Sequence, residues 1–104
     1  MMYTIIEHEK FQHKAEQIWT TEERLEFLSY LSQNPLSGDV IPHADGMRKI
    51  RWQANGKGKR GGVRIIYFNL LEDGVIVALD IYAKNVKENL SNQDIKQLKG
   101  EKNG

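Results

Sequence analysis

The stretch "GVRIIYFNLLEDGVIVALDIYA", Gly62 to Ala83, decides how the rest of the chain is read. "GVRIIYFNLL" and "VIVALDIYA" are rich in β-branched and aromatic residues, and "EDG" between them carries the Asp-Gly signature of a tight turn, so the segment reads as a hairpin. Upstream, "MRKIRWQ" from Met47 has the same strand character. Three consecutive strands joined this way are most economically an antiparallel meander.

Working outward, "YTIIE" (Tyr3 to Glu7) reads as a short strand, and "HEKFQHKAEQIW" places Phe11, Ala15, Ile18 and Trp19 at helical spacing. "TTEERLEFLSYLSQNP" is the clearest helix. Thr20 with Glu23 fits a capping box, Leu25, Leu28 and Leu31 with Phe27 form an apolar stripe, and Asn34-Pro35 stops it. "LSGDVIPHADG" reads as a loop, and its Pro42 argues against a central strand. After Lys84, "LSNQDIKQLKG" offers Ser91 as N-cap, Asp94 three residues on, and Gly100 as a stop. The expected architecture is α+β, in the order β-α-α-β-β-β-α, with an antiparallel sheet packed against the N-terminal helices. A length of 104 residues fits one domain, residues 1–104, with one modest core.

Composition narrows the chemistry. With 39% hydrophobic and 28% charged residues the chain is of the folded kind, and the absence of cysteine excludes disulfides, thiolate catalysis and cysteine-bound zinc. The three histidines, His8, His13 and His43, show no metal-ligand spacing, so neither a metal nor a cofactor is expected. Asp39, Asp45 and Asp80 read as capping, turn or solvated residues. No secretory leader or membrane-length apolar run is visible, and a cytoplasmic protein without membrane contact is expected.

The formal net charge of +1 conceals a polarised chain. Between Gly46 and Leu71 lie Arg48, Lys49, Arg51, Lys57, Lys59, Arg60 and Arg64 with no acidic residue. Eight basic against fourteen acidic residues remain elsewhere, so +7 in the window stands opposite −6 outside it. Local concentration of Lys and Arg is the electrostatic footprint of a phosphate-backbone binder.

Within the window, Gly56, Gly58 and Gly61 satisfy G-x-G-x-x-G, but a strand follows where a dinucleotide-binding fold needs a helix. A kinase glycine loop would need the V-A-I-K, H-R-D and D-F-G motifs, and a P-loop would need Lys-Ser/Thr after Gly61. The chain has none of these. What survives is a hairpin loop carrying Lys57, Lys59 and Arg60 beside a strand whose second residue is Arg64. Trp52 and Tyr67 are possible base-stacking platforms, although strand aromatics more often serve the core.

In this order and spacing, "RKIRW", "KGKRGGVRIIY" and "YAKN" closely resemble the RelE-like toxins of bacterial toxin-antitoxin pairs, most of all the HigB branch. The resemblance runs from Tyr3 to about Leu98. It implies a compact microbial ribonuclease-like fold that enters the ribosomal decoding site and cuts messenger RNA there. It also implies a neighbouring antitoxin, of the helix-turn-helix, HigA-like kind, that keeps the toxin silent.

On that resemblance Arg64 matches the arginine that stabilises the scissile phosphate, and Lys84 could reach the same phosphate as proton donor or electrostatic clamp. Lys49 and Arg51 share strand parity and would contact the substrate backbone, with Lys57, Lys59 and Arg60 gripping ribosomal or messenger phosphates from the loop. Some branches use a tyrosine or histidine near the C-terminus for proton transfer, and nothing after Lys84 is Tyr or His here. Lys84, a loop lysine, the ribosome or Tyr82 would then move the proton. A related-fold toxin acting on a protein such as gyrase, and a noncatalytic RNA-binding module, are the alternatives from other classes.

Overall fold

The computed structural model describes residues 2–53, 62–84 and 90–103. In chain order the elements are β1 (Thr4–Glu7), α1 (Glu9–Ile18), α2 (Thr21–Gln33), β2 (Asp39–Val40), β3 (Arg48–Trp52), β4 (Val63–Leu70), β5 (Val75–Ala83) and α3 (Asn92–Asn103). The strands form one sheet in the order β1-β5-β4-β3-β2. The α+β reading and the meander β3-β4-β5 are borne out.

One expectation is corrected: the sheet is mixed, because β1 lies parallel to β5, Thr4 opposite Val75 through Glu7 opposite Ala78. The two helices after β1 carry the chain across the sheet, so the last strand of the meander returns beside the first. That leaves β5 flanked on both sides, which suits its nearly unbroken apolar sequence. The segment read as a loop also contributes the two-residue strand β2, paired with Arg48 and Lys49. Its place at the sheet edge is compatible with Pro42 just beyond it.

Two apolar clusters sit on opposite faces. On one, Phe11, Ala15, Phe27 and Leu31 of α1 and α2 cover Ile50, Val63, Ile65, Tyr67, Ile76, Ala78 and Ile81. On the other, Leu98 of α3 packs on Ile66, Phe68, Leu79 and Tyr82, with Met47 and Ala44. Each fully buried side chain of this size contributes roughly 1.5–3 kcal/mol over an exposed one. The alternation is interrupted once: β4 and β5 slip register between Ile66 and Tyr67, Ile66 facing Asp80 while Tyr67 faces Ala78. Leu79 is the extra residue of this bulge, so Leu79 and Asp80 both lie on the α3 side.

The helix termini follow the sequence closely. Thr20 and Glu23 form the reciprocal capping box, and Ser91 and Asp94 form another at α3. Two helical details differ from expectation. Leu25 is 60% exposed, because at about 100° per residue it sits about 200° from Phe27 around the helix. Gly100 does not end α3, which continues to Asn103. The turn beyond it is held from outside: Lys102 pairs with Asp45 at 3.1 Å and lies 5.1 Å from the Phe68 ring centroid, and Glu101 approaches Lys10.

The α2–β2 connection is fixed by a buried hydroxyl. Tyr67 Oη donates to the Pro35 carbonyl at 2.8 Å and accepts from the Gly38 N–H at 2.9 Å. Burial pushes this hydroxyl above its ordinary pKa of 10.0, with the Gly38 hydrogen bond opposing. Tyr67 is fully buried, so it belongs to the core and is no stacking platform. Asp80 likewise departs from the solvated role expected of it. It is buried and accepts from Lys14 Nζ at 2.7 Å and the Ile81 N–H at 2.8 Å, with Lys10 at 3.7 Å.

Candidate phosphate-binding cleft

Strand register assembles the candidate residues. Arg51 stands opposite Arg64 on the neighbouring strand, and Arg64 opposite Tyr82 on the next. Lys49 stands opposite Ile66, which packs on the α3 side. Side chains two apart share a face, so Lys49, Arg51, Arg64, Tyr82 and Lys84 all belong to that side of the sheet. The shared parity expected of Lys49 and Arg51 is confirmed.

At the end of this face, Arg51, Trp52, Gln53, Arg64 and Lys84 line a cleft of about 250 Å³. Among the described residues, its charged lining is three cations, Arg51, Arg64 and Lys84. Arg64 is 2% exposed, so its guanidinium belongs to the cleft floor, whereas Arg51 and Lys84 are exposed. Arg supplies the planar fork that meets two phosphate oxygens at once.

Gly62 explains how the two strands come so close there. It has φ +71, and a Cβ at this position would lie 2.1 Å from the Trp52 carbonyl oxygen. Only glycine satisfies both conditions. The Lys84 N–H donates to the Gly62 carbonyl at 3.4 Å, tying the end of β5 to the same point.

Tyr82 is 3% exposed and packs in the cluster beneath α3, so its ring is a wall beside Arg64 rather than part of the cleft mouth. Lys49 lies one step further along β3, where with Arg51 it lines a second cavity of about 330 Å³ shared with Pro42, Leu90 and Ile95. Lys57, Lys59 and Arg60 lie outside the described residues. No group of three or more metal-ligating side chains occurs among the described residues. No helix among them is long and apolar enough to cross a membrane.

Sequence reasoning missed Gln53 as a cleft residue and gave no weight to Tyr30. Tyr30 is 39% exposed on α2 and packs against Trp52, with ring centroids 4.9 Å apart and planes inclined at 41°. The only signal for Tyr30 was an aromatic on an otherwise polar helix face.

The fold is that of RelE toxins. Over 98% of this chain and 98% of the other, it matches an arginine-substituted mutant of E. coli toxin RelE in the free state, with a TM-score of 0.65 at 14% identity. A chain of the RelBE2 toxin-antitoxin complex from Mycobacterium tuberculosis matches with a TM-score of 0.58 at 18% identity, covering 80% of this chain and 99% of its own. One from the intact E. coli RelBE toxin-antitoxin complex matches at 0.59 and 15% identity, covering 78% and 95% respectively. No protein-family model matches the sequence.

Proposed function

We propose that this protein is the toxin of a type II toxin-antitoxin system, of the HigB branch, and that it cuts messenger RNA in the ribosomal A site. The observation that carries the reading is the cleft that brings Arg51, Arg64 and Lys84 together at the end of one sheet face. The likeness to RelE toxins, two of them in toxin-antitoxin complexes, supports it. So does the run of basic residues that continues into the Lys57–Arg60 segment.

RNA carries its own nucleophile, so the protein needs neither a catalytic serine nor a cofactor. The ribose 2′-hydroxyl gives its proton to solvent water as its oxygen attacks the adjacent phosphorus; the O2′–P bond forms, the P–O5′ bond breaks, and the 5′-oxygen leaves with a proton taken from the Lys84 ammonium, which is restored from solvent. The products are a 2′,3′-cyclic phosphate and a 5′-hydroxyl. What the protein must do is align the 2′-oxygen with the leaving oxygen and stabilise charge on the phosphate oxygens.

Arg64 serves the second task from the cleft floor, and Arg51 joins it across the strand. Lys84 at the exposed rim protonates the leaving oxygen, and Tyr82 buttresses the floor. Lys49 tracks the backbone along β3, and Lys57, Lys59 and Arg60 grip further phosphates of messenger or ribosome. A helix-turn-helix antitoxin of the HigA kind is the cognate partner, and translating ribosomes in the cytoplasm are the place of action.

The test is single-turnover cleavage of a messenger programmed into ribosomes at saturating protein. Arg64→Ala lowers the rate by at least about 10²-fold, the scale for losing one preorganised charge stabiliser. Arg64→Met, which keeps most of the buried volume, does the same, and Arg64→Lys recovers only part because it lacks the bidentate fork. Thermal melting confirms folding of each variant. Wild-type cutting by both neutral variants would remove Arg64 from the chemistry.

A further inference from the structure

Asp80 is the only buried carboxylate among the described residues, 2% exposed, and the cleavage chemistry makes no use of it. It stands on β5 two residues before Tyr82, where three elements meet. Its Oδ1 accepts from Lys14 Nζ of α1 at 2.7 Å, Lys10 of α1 lies 3.7 Å from Oδ2, and Lys10 in turn reaches Glu101 of α3 at 3.9 Å. Resting on the nuclease reading above, we propose that Asp80 is a positioning residue for the cleft. Its carboxylate, anchored to α1, pins the irregular step in β5 and so fixes the side of the sheet from which Tyr82 and Lys84 emerge beside Arg64.

The backbone at this point is short of partners. Glu7 is the last residue of β1 to pair with β5, opposite Ala78, so past Ala78 no strand among the described residues flanks β5 on that side. On its other side β5 is out of step with β4, Leu79 being passed over between the Tyr67–Ala78 and Ile66–Asp80 pairs. A buried N–H without an acceptor is costly, so the donors freed at such a step call for other partners. The Ile81 N–H, the first donor after the step, is buried and donates to Asp80 Oδ1 at 2.8 Å.

One oxygen thus accepts from both the strand and α1, and ties the step to a helix that is packed on the sheet through Phe11 and Ala15. Past the step, Ile81 joins the cluster under α1 and α2, whereas Tyr82 packs beneath α3 and stands opposite Arg64. Lys84, two residues on, lines the cleft. Asp80 is not among the cleft's lining residues, so its effect reaches the phosphate through the backbone. Stability alone is a poor reason for a carboxylate here, because a buried ion pair adds little over a well-packed apolar residue.

The experiment compares three variants at this position. Asp80→Leu removes both the acceptor and the charge. Asp80→Asn keeps a carbonyl oxygen for the Ile81 N–H and Lys14 and loses the charge, whereas Asp80→Glu keeps the charge but sets its carboxylate one methylene away from the adjacent N–H. The Lys10 and Lys14 side chains are 31% and 32% exposed, so neither becomes a buried unpaired charge when Asp80 is neutralised. In single-turnover cleavage of a ribosome-bound messenger at saturating protein, Asp80→Leu cuts about 10²-fold more slowly, the scale for misplacing reacting groups by about 1 Å. Asp80→Asn cuts near the wild-type rate, and Asp80→Glu falls toward Asp80→Leu. NOEs from the Tyr82 ring to the Leu98 methyls, which share one cluster in the wild type, persist in Asp80→Asn and are lost in Asp80→Leu.

Wild-type NOEs or wild-type cutting in Asp80→Leu overturns the proposal. So does an Asp80→Asn protein as impaired as Asp80→Leu, or a fully active Asp80→Glu protein, either of which would make the carboxylate an ion-pair anchor for α1 instead of a pin for β5. Should Asp80→Leu fail to melt cooperatively, the contrast between Asp80→Asn and Asp80→Glu decides alone. A wild-type protein that cuts no messenger refutes the nuclease reading only, and the Tyr82 NOEs still decide whether Asp80 sets the strand.

Discussion

Replacing Gly62 by Ala tests whether the cleft depends on the close approach of β3 and β4. The new Cβ would stand 2.1 Å from the Trp52 carbonyl oxygen, about 0.9 Å short of the 3.0 Å that real Cβ atoms keep from such a neighbour. Because the obstructing atom is backbone, no rotamer change relieves it. The strands must part by about that distance, or Gly62 must leave its φ of +71, which for an L-residue costs roughly 1–2 kcal/mol in any case. The displacement falls two residues from Arg64 and, through the Lys84 N–H, at the end of β5. Misplacing reacting groups by about 1 Å costs on the order of 10²-fold in rate. Gly62→Ala is therefore expected to melt lower than the wild type by roughly 1–2 kcal/mol of stability and to cleave a ribosome-bound messenger about 10²-fold more slowly at saturation. Gly100→Ala is the matched control: a Cβ there meets nothing, and in a helix interior alanine is worth roughly 0.5–1 kcal/mol over glycine. It should stabilise the protein and leave cleavage untouched. If Gly62→Ala melts and cuts like the wild type, the tight β3–β4 junction does not organise the cleft.

The basic Lys57–Arg60 segment is tested by salt. Binding to RNA through about five phosphates gives a slope of log affinity against log salt of about −3.5 to −4.5, and replacing Lys57, Lys59 and Arg60 together by Ala flattens it by roughly two units; an unchanged slope removes the segment from the interface. Tyr67→Phe strips the Gly38 N–H of its buried partner while Pro35 keeps the Asn69 amide at 2.9 Å, so denaturant titration should show a loss of about 1–3 kcal/mol. The raised pKa of Tyr67 sets the sign with pH: its contribution is fully present below pH 10.0 and is lost as pH rises through the higher folded-state value, so the gap between wild type and Tyr67→Phe narrows in alkaline solution. A gap that widens there would contradict the buried, neutral hydroxyl.

The strands of the meander were legible because their signal is local. "VIVALDIYA" runs from turn to turn, and β5 occupies those residues. Parallel pairing of β1 with β5 was not, since "YTIIE" is a good strand in either direction and its partner lies some seventy residues away. Leu25 was misplaced because counting apolar residues along α2 does not say which of them shares an azimuth with Phe27. Gly100 was misread for a related reason: a glycine near a helix end looks like a stop until the tertiary contacts of Glu101 and Lys102 are known. For the cleft, residue type and parity on β3 were enough to place Lys49 and Arg51 together. The burial of Arg64 was not, because an arginine near a strand end ordinarily points to solvent. Tyr30 shows the limit most plainly: its relation to Trp52 joins a helix to a strand, and neither segment alone carries a trace of it.

The extra residue at Leu79 works as a phase shifter. Below it, Ile76 and Ala78 face α1 and α2; above it, the strand has skipped half a period, and Ile81 faces those helices while Tyr82 falls in line with Arg64. Strict alternation from Val75 would have sent Tyr82 and Lys84 to the opposite side and turned Ile81 and Ala83 toward the cleft. The chemical end and the packed end of one strand are thereby set independently. Length can change in the connections on either side without consequence for this arrangement, but a single-residue insertion or deletion in the middle of β5 exchanges the lining of the cleft for the lining of the core.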